Sequence, residues 1–342
     1  METLRLSTRE SDLERAGEII RAGGLVAFPT ETVYGLGADA LNAEAVASVY
    51  AAKGRPSDNP MIVHIADATD LYPLIKGGVS SLSREASILI TNVWPGPLTM
   101  VFKKSDIVPD ITTGGLDTVA VRMPSNPTAR RLIKLAGRPI AAPSANLSGR
   151  PSPTTADDVL EDMDGRIDAI IMGEQCDVGI ESTVLDLTDI IPRILRPGAI
   201  TKEKLMILLR RAVLYDKTLL ERPEEGSGGE TGEDTDFRPR SPGMKYTHYS
   251  PKAKVRLIEG TGREFREKAK QLGLEAREKG EKVAIIDYDN DPGKAAHRLF
   301  AELRELDRQG YDLILIRTVD DDGFGFSVMN RMLRSAGYDI VR

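Results

Sequence analysis

Residues 221–243, ERPEEGSGGETGEDTDFRPRSPG, constrain this chain more than any other stretch. Gly, Pro, Ser, Thr and acid replace all apolar periodicity there, so the segment cannot bury enough surface to offset the entropy of ordering itself. A chain of 342 residues interrupted in this way is expected to fold as two units, one on each side. The boundaries are placed at 1–211 for a large first domain, 212–252 for a linker and 253–342 for a small second domain.

Before the interruption, helical patterns alternate with short β-rich runs. Helices are expected at SDLERAGEIIRAGG, opened by a Ser11 cap and closed by Gly23, and at AEAVASVYAAKG, SLSREASILITNVW, PTARRLIKLAG and TKEKLMILLRR. Strands are expected at GLVAF, PMIVHI, LTMVF, DTVAVRM, RPIAAP, DAIIM, TVLDL and PRILRP, each bounded by Gly, Pro or Asp. Together they predict one large α/β domain with a mixed sheet. Past MKYTHYSPKA, the runs KVRLIE, KVAIID and YDLILIR alternate with helical stretches, which predicts a small parallel sheet with right-handed crossovers.

Composition narrows the function. No apolar run approaches the ~18 to 20 residues that span a bilayer, and METLRLSTRE lacks the apolar core of a signal peptide, so a cytoplasmic protein without membrane partners is expected. One cysteine, Cys176, rules out an internal disulfide and a cysteine-based zinc site, and three scattered histidines form no HExxH pair. A net charge of -6 counts against a general basic field for nucleic acid. GxxxxGK[ST] does not occur, and GLGADA and GFGFSV each lack the third glycine of GxGxxG, which disfavours a P-loop kinase or a standard dinucleotide enzyme.

The chemistry-bearing residues cluster at strand ends, where open α/β sheets hold ligands. FPTETVYGLGADA leaves its strand through Pro29, Gly35 and Gly37, read as a turn, with Thr30, Glu31, Thr32 and Tyr34 among them. In KGRPSDNPMIVHI, Lys53 and Gly54 suit a helix end and its dipole. That reading leaves Arg55, Asn59 and the histidine His64 in an apolar strand unexplained, and from spacing alone His64 remains either a bystander or a ligand. Thr118 and Arg122 lie four apart in DTVAVRM, on one face by period-2 alternation. RPIAAPSANLSGRPSPTT runs a small-residue strand into Ser144, Asn146, Ser148 and Ser152; GIESTVLDL sets Glu181, Ser182 and Thr183 at a strand start; RILRPGAI ends on Arg196. Cations Lys53, Arg55 and Arg196 within an acidic chain suggest a shared anion pocket if the fold brings them together.

Taken in order, FPTETVYGLG, KGRPSDNP, SAN, ESTVLD, RPGAI and SPGMKYTHYSPKA resemble the threonylcarbamoyl-AMP synthase family in its longer form. The resemblance covers nearly the whole chain and implies a YrdC-like mixed twisted sheet with flanking helices, plus a small Rossmann-like parallel α/β C-terminal domain. It implies a nucleotidyltransferase that joins L-threonine, bicarbonate and ATP into threonylcarbamoyl-adenylate with release of pyrophosphate. Mg2+ would accompany ATP, and the product would pass to a downstream tRNA threonylcarbamoyl transferase acting on the adenosine beside the anticodon. By the same resemblance Thr32, His64, Arg122 and Ser182 would hold threonine. Lys53, Arg55, Asn59, Thr118, Ala142, Ser144, Asn146, Ser152 and Arg196 would surround ATP, with Lys53 and Arg55 carrying catalysis and His248 and Tyr249 forming a linker lid. The alternatives are an RNA-binding YrdC-like module without turnover, with weak RNA binding, and a hydrogenase-maturation type carbamoyl-transfer enzyme. The acidic charge counts against the first, and the lack of zinc-finger and acylphosphatase segments against the second.

Overall fold

The computed structural model describes residues 2–220, 240 and 249–342. Within the first unit the strands are β1 (Leu4–Leu6), β2 (Val26–Phe28), β3 (Gly35–Asp39), β4 (Ile62–His64), β5 (Leu98–Lys103), β6 (Thr118–Arg122), β7 (Ile140–Ala141), β8 (Ala169–Ile171), β9 (Thr183–Asp186), β10 (Arg193–Arg196) and β11 (Leu214–Tyr215). Among the described residues they form an 11-stranded mixed sheet in the order β1-β8-β2-β3-β7-β4-β6-β5-β9-β10-β11. Helices α1 (Glu10–Arg21), α2 (Ala43–Lys53), α3 (Arg84–Val93), α4 (Pro127–Ala136), α5 (Ala156–Met163) and α6 (Lys202–Leu209) connect and cover it. In the second unit β12 (Lys254–Ile258), β13 (Val283–Ile286), β14 (Leu313–Arg317) and β15 (Ile340–Val341) pair in parallel in the order β13-β14-β12-β15. Helices α7 (Gly262–Glu278), α8 (Pro292–Arg308) and α9 (Gly323–Ser335) alternate with these strands. Relative to a dinucleotide-binding sheet, the second and third strands of this unit are exchanged.

Local sequence explains most boundaries. Asn42 opens α2 by accepting from Glu44 N and Ala45 N, and Gly54 closes it in the left-handed region at φ 61°. Ser83 caps α3 and Asn126 caps α4, with Pro127 at the first helical position. The Ser11 cap is corrected: α1 begins at Glu10, Arg9 at its N-cap makes no side-chain bond, and Asp12 instead reaches back to Ser7 N at 2.7 Å. The turn at Gly35 and Gly37 is also corrected. Both glycines lie inside β3, antiparallel to β2, where a Cβ on Gly37 would stand 2.8 Å from the Phe28 ring and 2.7 Å from Ile140 Cγ2. Close packing, rather than reversal of the chain, requires glycine there.

Leu214–Tyr215 pair with β10, so the first sheet continues past residue 211, and most of the expected linker falls outside the described residues. No helix among the described residues is long and apolar enough to cross a membrane. The lone thiol, Cys176, is buried in the main core at 2% exposure, its N–H donating to Thr154 O at 3.0 Å, and burial pushes its pKa up to about 12.

The two units pack through α8 and α9. Val33 and Ile180 of the first share an apolar cluster with Tyr249, Phe300, Val328 and Met332. Arg304 on α8, fully buried, donates to Pro151 O at 3.0 Å and to the buried Asp162 carboxylate at 2.8 Å. Gly179, at φ 82°, allows α8 to approach; a Cβ there would collide with Ala296 O and His297 Cα.

Candidate active site

One end of the large sheet gathers most of the residues singled out from the sequence. His64 on β4 is in register with Arg122 on parallel β6, Thr99 on antiparallel β5 lies opposite Arg122, and Thr183 on β9 lies opposite Leu98. β10 returns antiparallel to β9 and ends at Arg196. The last residues of β4, β6 and β10 and the first of β5 and β9 therefore share an edge. At ~4.8 Å per strand, this edge lays roughly 19 Å of floor between His64 and Arg196. The walls are the loop after β2 and the segment after β7, where Ser144 bridges Gly35 and Ala145 N donates to Tyr34 O at 2.9 Å. Between them lies a cleft of about 620 Å³ free of protein atoms, part of it open to solvent.

Arg122 organises one corner. Its Nη1 donates to Thr32 Oγ1 at 2.9 Å and its Nη2 pairs with Glu31 Oε1 at 2.8 Å. Burial alone would raise the Glu31 carboxyl, but the Arg122 charge and hydrogen bonds hold it below the usual carboxylate range. His64 Nδ1 lies 3.1 Å from Ile62 O, which only accepts, so Nδ1 carries the proton and the other ring nitrogen of the neutral ring is an acceptor. Burial, reinforced by Arg122, pushes the His64 pKa from 6.5 to about 3, which keeps the ring neutral near pH 7. Ser182 Oγ lies 2.7 Å from Thr99 Oγ1 and accepts from Arg196 Nη2 at 3.1 Å. Along the edge from β4 to β9 the cleft thus offers a guanidinium, a neutral imidazole and the hydroxyls of Thr32 and Ser182.

The rest of the cleft is cationic and rich in backbone. Arg55, Arg122, Arg150 and Arg196 all line it. Burial lowers the Arg196 pKa to about 10 against the pull of Glu181, so it remains charged at neutral pH. Arg150 pairs with Glu161 at 2.5 Å and with the buried Asp162. Asn146 donates from Nδ2 to Leu147 O at 2.7 Å and Arg150 O at 2.9 Å, while its Oδ1 is buried with no hydrogen-bond partner among the described residues. A buried acceptor beside a cleft is satisfied when a ligand or water brings a donor.

Glu181 ties this wall to the second unit. Its Oε1 accepts from Ser152 Oγ at 2.6 Å and its Oε2 accepts from Arg331 Nε at 2.9 Å, across from α9. Tyr249, also lining the cleft, stacks on Phe300 at 5.0 Å and lies 5.8 Å from the Arg331 guanidinium.

Of the residues expected from the sequence, Thr32, Arg55, His64, Arg122, Ala142, Ser144, Asn146, Ser152, Ser182, Arg196 and Tyr249 line this cleft. Lys53 does not: its ammonium is buried beneath the wall, donating to Ser144 O at 2.6 Å and to Asn146 O, and burial with the Arg55 charge pushes its pKa well down. Asn59 is buried outside the lining, its backbone carbonyl accepting from Tyr50 Oη at 2.9 Å. Thr118 stands at the opposite end of β6 from Arg122, paired with Lys103. His248 lies outside the described residues. Sequence reasoning assigned no role to Glu31, Arg150, Glu181 or Arg331; the first three sit inside or beside the quoted strand-end motifs, whereas Arg331 carries no local signal.

A cleft on the edge of a mixed sheet, with arginines along it and neutral hydroxyl and imidazole groups beside them, defines an α/β protein with a site suited in charge to a small anionic ligand. A profile of the family described as "Telomere recombination" matches residues 18–198, and one described as "Threonylcarbamoyl-AMP synthase, C-terminal domain" matches residues 200–337. The threonylcarbamoyl-AMP synthase of Pyrococcus abyssi is 44% identical over 350 aligned positions, covering 99% of this chain and 98% of that protein. That of Bacillus subtilis is 41% identical, covering 99% and 97%. The crystal structure of P. abyssi Sua5 complexed with L-threonine matches with a TM-score of 0.90 at 42% identity, covering 100% of this chain and 99% of that one. The chain belongs to the threonylcarbamoyl-AMP synthase family.

Proposed function

We infer that this chain synthesises L-threonylcarbamoyl-adenylate from L-threonine, bicarbonate and ATP, releasing pyrophosphate for use of the product in tRNA modification. The observation that carries the reading is the convergence of Thr32, His64, Arg122 and Ser182 with Arg55, Ser144, Asn146 and Arg196 on one cleft, in a family that includes a member solved with L-threonine. Kinship with named synthases over the full chain goes with this reading rather than with the RNA-binding alternative.

The chemistry follows from positioning and charge. Unprotonated threonine nitrogen attacks the bicarbonate carbon, water leaves, and a carbamate oxygen then attacks the α-phosphorus of ATP while the bond to the bridging oxygen breaks and pyrophosphate departs. Arg122 offers its planar fork to the amino-acid carboxylate, with Glu31 behind it as counter-ion. The neutral His64 ring and Ser182 suit the threonine hydroxyl. Arg55 and Arg196 neutralise charge building on the phosphates, and Asn146 Oδ1 takes an N–H or O–H of the nucleoside. Lys53 acts indirectly, fixing the backbone of Ser144 and Asn146. Mg2+ would arrive with ATP as part of the nucleotide substrate; the pairing of Glu31 and Glu181 with arginines is in keeping with that.

Pyrophosphate release from MgATP that requires both threonine and bicarbonate is the expected result. Release no greater than in a control without threonine would overturn the reading.

A further inference from the structure

Helix α9 sends one fully buried cation across the seam between the two units. Arg331 donates from Nε to Glu181 Oε2 at 2.9 Å, and its guanidinium lies 5.8 Å from the centre of the Tyr249 ring. Both partners line the cleft. We propose that Arg331 is a positioning residue of the active site: it orients Glu181, and through it Ser152, and it supports Tyr249 at the cleft wall. The second unit thereby completes the site in cis.

Docking of the two units has its own fastenings. Arg304 reaches Pro151 O and Asp162, Arg308 reaches Asp158 at 3.0 Å, and Ser327 Oγ donates to Gly198 O at 2.9 Å. None of the groups those three side chains bond, Pro151, Asp162, Asp158 and Gly198, lines the cleft, whereas Glu181 and Tyr249, which Arg331 touches, both do.

The consequence for Ser152 is chemical. A hydroxyl has one proton, and Ser152 gives its proton to Glu181 Oε1 at 2.6 Å, so toward the cleft it presents only lone pairs. It then suits a ribose hydroxyl or an amino group rather than a phosphate oxygen. The arrangement requires Glu181 to remain a carboxylate. Burial works against that, and the Arg331 charge, followed by that of Arg196, opposes burial and holds the Glu181 pKa below the ordinary value. Removing Arg331 raises the Glu181 pKa, with Arg196 still opposing burial, and wherever the acid form appears its proton competes for the Ser152 oxygen.

The kinetic test rests on the synthase reading. Arg331→Ala is expected to raise KM for ATP about 10- to 100-fold and to move the acid limb of kcat/KM to higher pH, because Glu181 then protonates at higher pH. Arg331→Lys should recover part of the loss, since it restores the charge without the fork. Glu181→Gln should show the same loss of ATP affinity with no acid-limb shift, and adding Arg331→Ala to it should cost little more. Arg308→Ala, which loosens the seam away from the cleft, should lower Tm and leave KM unchanged. Wild-type KM and pH profile in folded Arg331→Ala, or equal kinetic losses in the Arg331 and Arg308 variants at equal loss of Tm, would overturn the proposal. If Arg331→Ala does not fold, Arg331→Met takes its place with the same expectations. Should the wild-type chain release no pyrophosphate, the synthase reading fails separately, and calorimetry with a non-hydrolysable ATP analogue still decides. Weaker binding by a similar factor in the variant supports the positioning role, and equal binding overturns it.

Discussion

His64 is held neutral in the folded chain while the unfolded chain takes up its proton below pH 6.5, the folded pKa being about 3. Between those values the unfolded state binds more protons, so this group's contribution to stability is full above pH 6.5 and falls by ~1.4 kcal/mol per pH unit on acidification. Urea unfolding at pH 7, 6, 5 and 4 should show a shallower loss for His64→Gln than for the wild-type chain. At the other end of the cleft, Arg196→Ala should raise KM for ATP about 10- to 100-fold, or ~1.4 to 2.8 kcal/mol; normal turnover would remove Arg196 from the phosphates. These residues were legible because strand ends advertise themselves in sequence. Their partners were not, since the Glu181–Arg331 bond spans 150 residues. Period-2 alternation correctly put Thr118 and Arg122 on one face of β6, yet four residues at ~3.3 Å separate them by ~13 Å, so Arg122 alone reaches the cleft.

At the scale of elements, β3 shows how a strand hides. Glycine reads as a turn former, but Gly35 and Gly37 face Phe28 on the neighbouring strand and Ile140 and Ala142 about a hundred residues on, a packing that local pattern does not reveal. Gly37→Val should overpack this seam, costing ~1 to 3 kcal/mol in denaturant unfolding, and should depress activity because β3 leads out of the loop bearing Thr32. α5, ADDVLEDM, escaped notice for a different reason. Only a short apolar pattern interrupts its acids, and two of them hold the second unit, Asp158 through Arg308 and Asp162 through Arg304, while Asp162 also pairs with Arg150 of its own unit. The helices α2, α3 and α4 were readable from their helical patterns, and the fold adds the caps Asn42, Ser83 and Asn126, which that reading did not name.

At the scale of the molecule, the seam between units is built from buried charge as well as apolar surface. Arg304 and Asp162 are both wholly buried, so Arg304→Ala leaves a carboxylate without one of its cations and should cost ~3 to 5 kcal/mol. Unfolding is expected to be a single transition in the wild-type chain and to separate into two in this variant; an unchanged single transition would argue that the units are not energetically coupled through α8. The burial of Cys176 bears on how such opening could be followed. A thiol whose pKa is pushed up to about 12 and which water scarcely reaches is almost never the reactive thiolate at neutral pH. Maleimide should therefore ignore the native chain and label it only during excursions that expose the core. The rate of that labelling becomes a built-in clock for breathing of the catalytic unit, and ligands that fill the cleft should slow it.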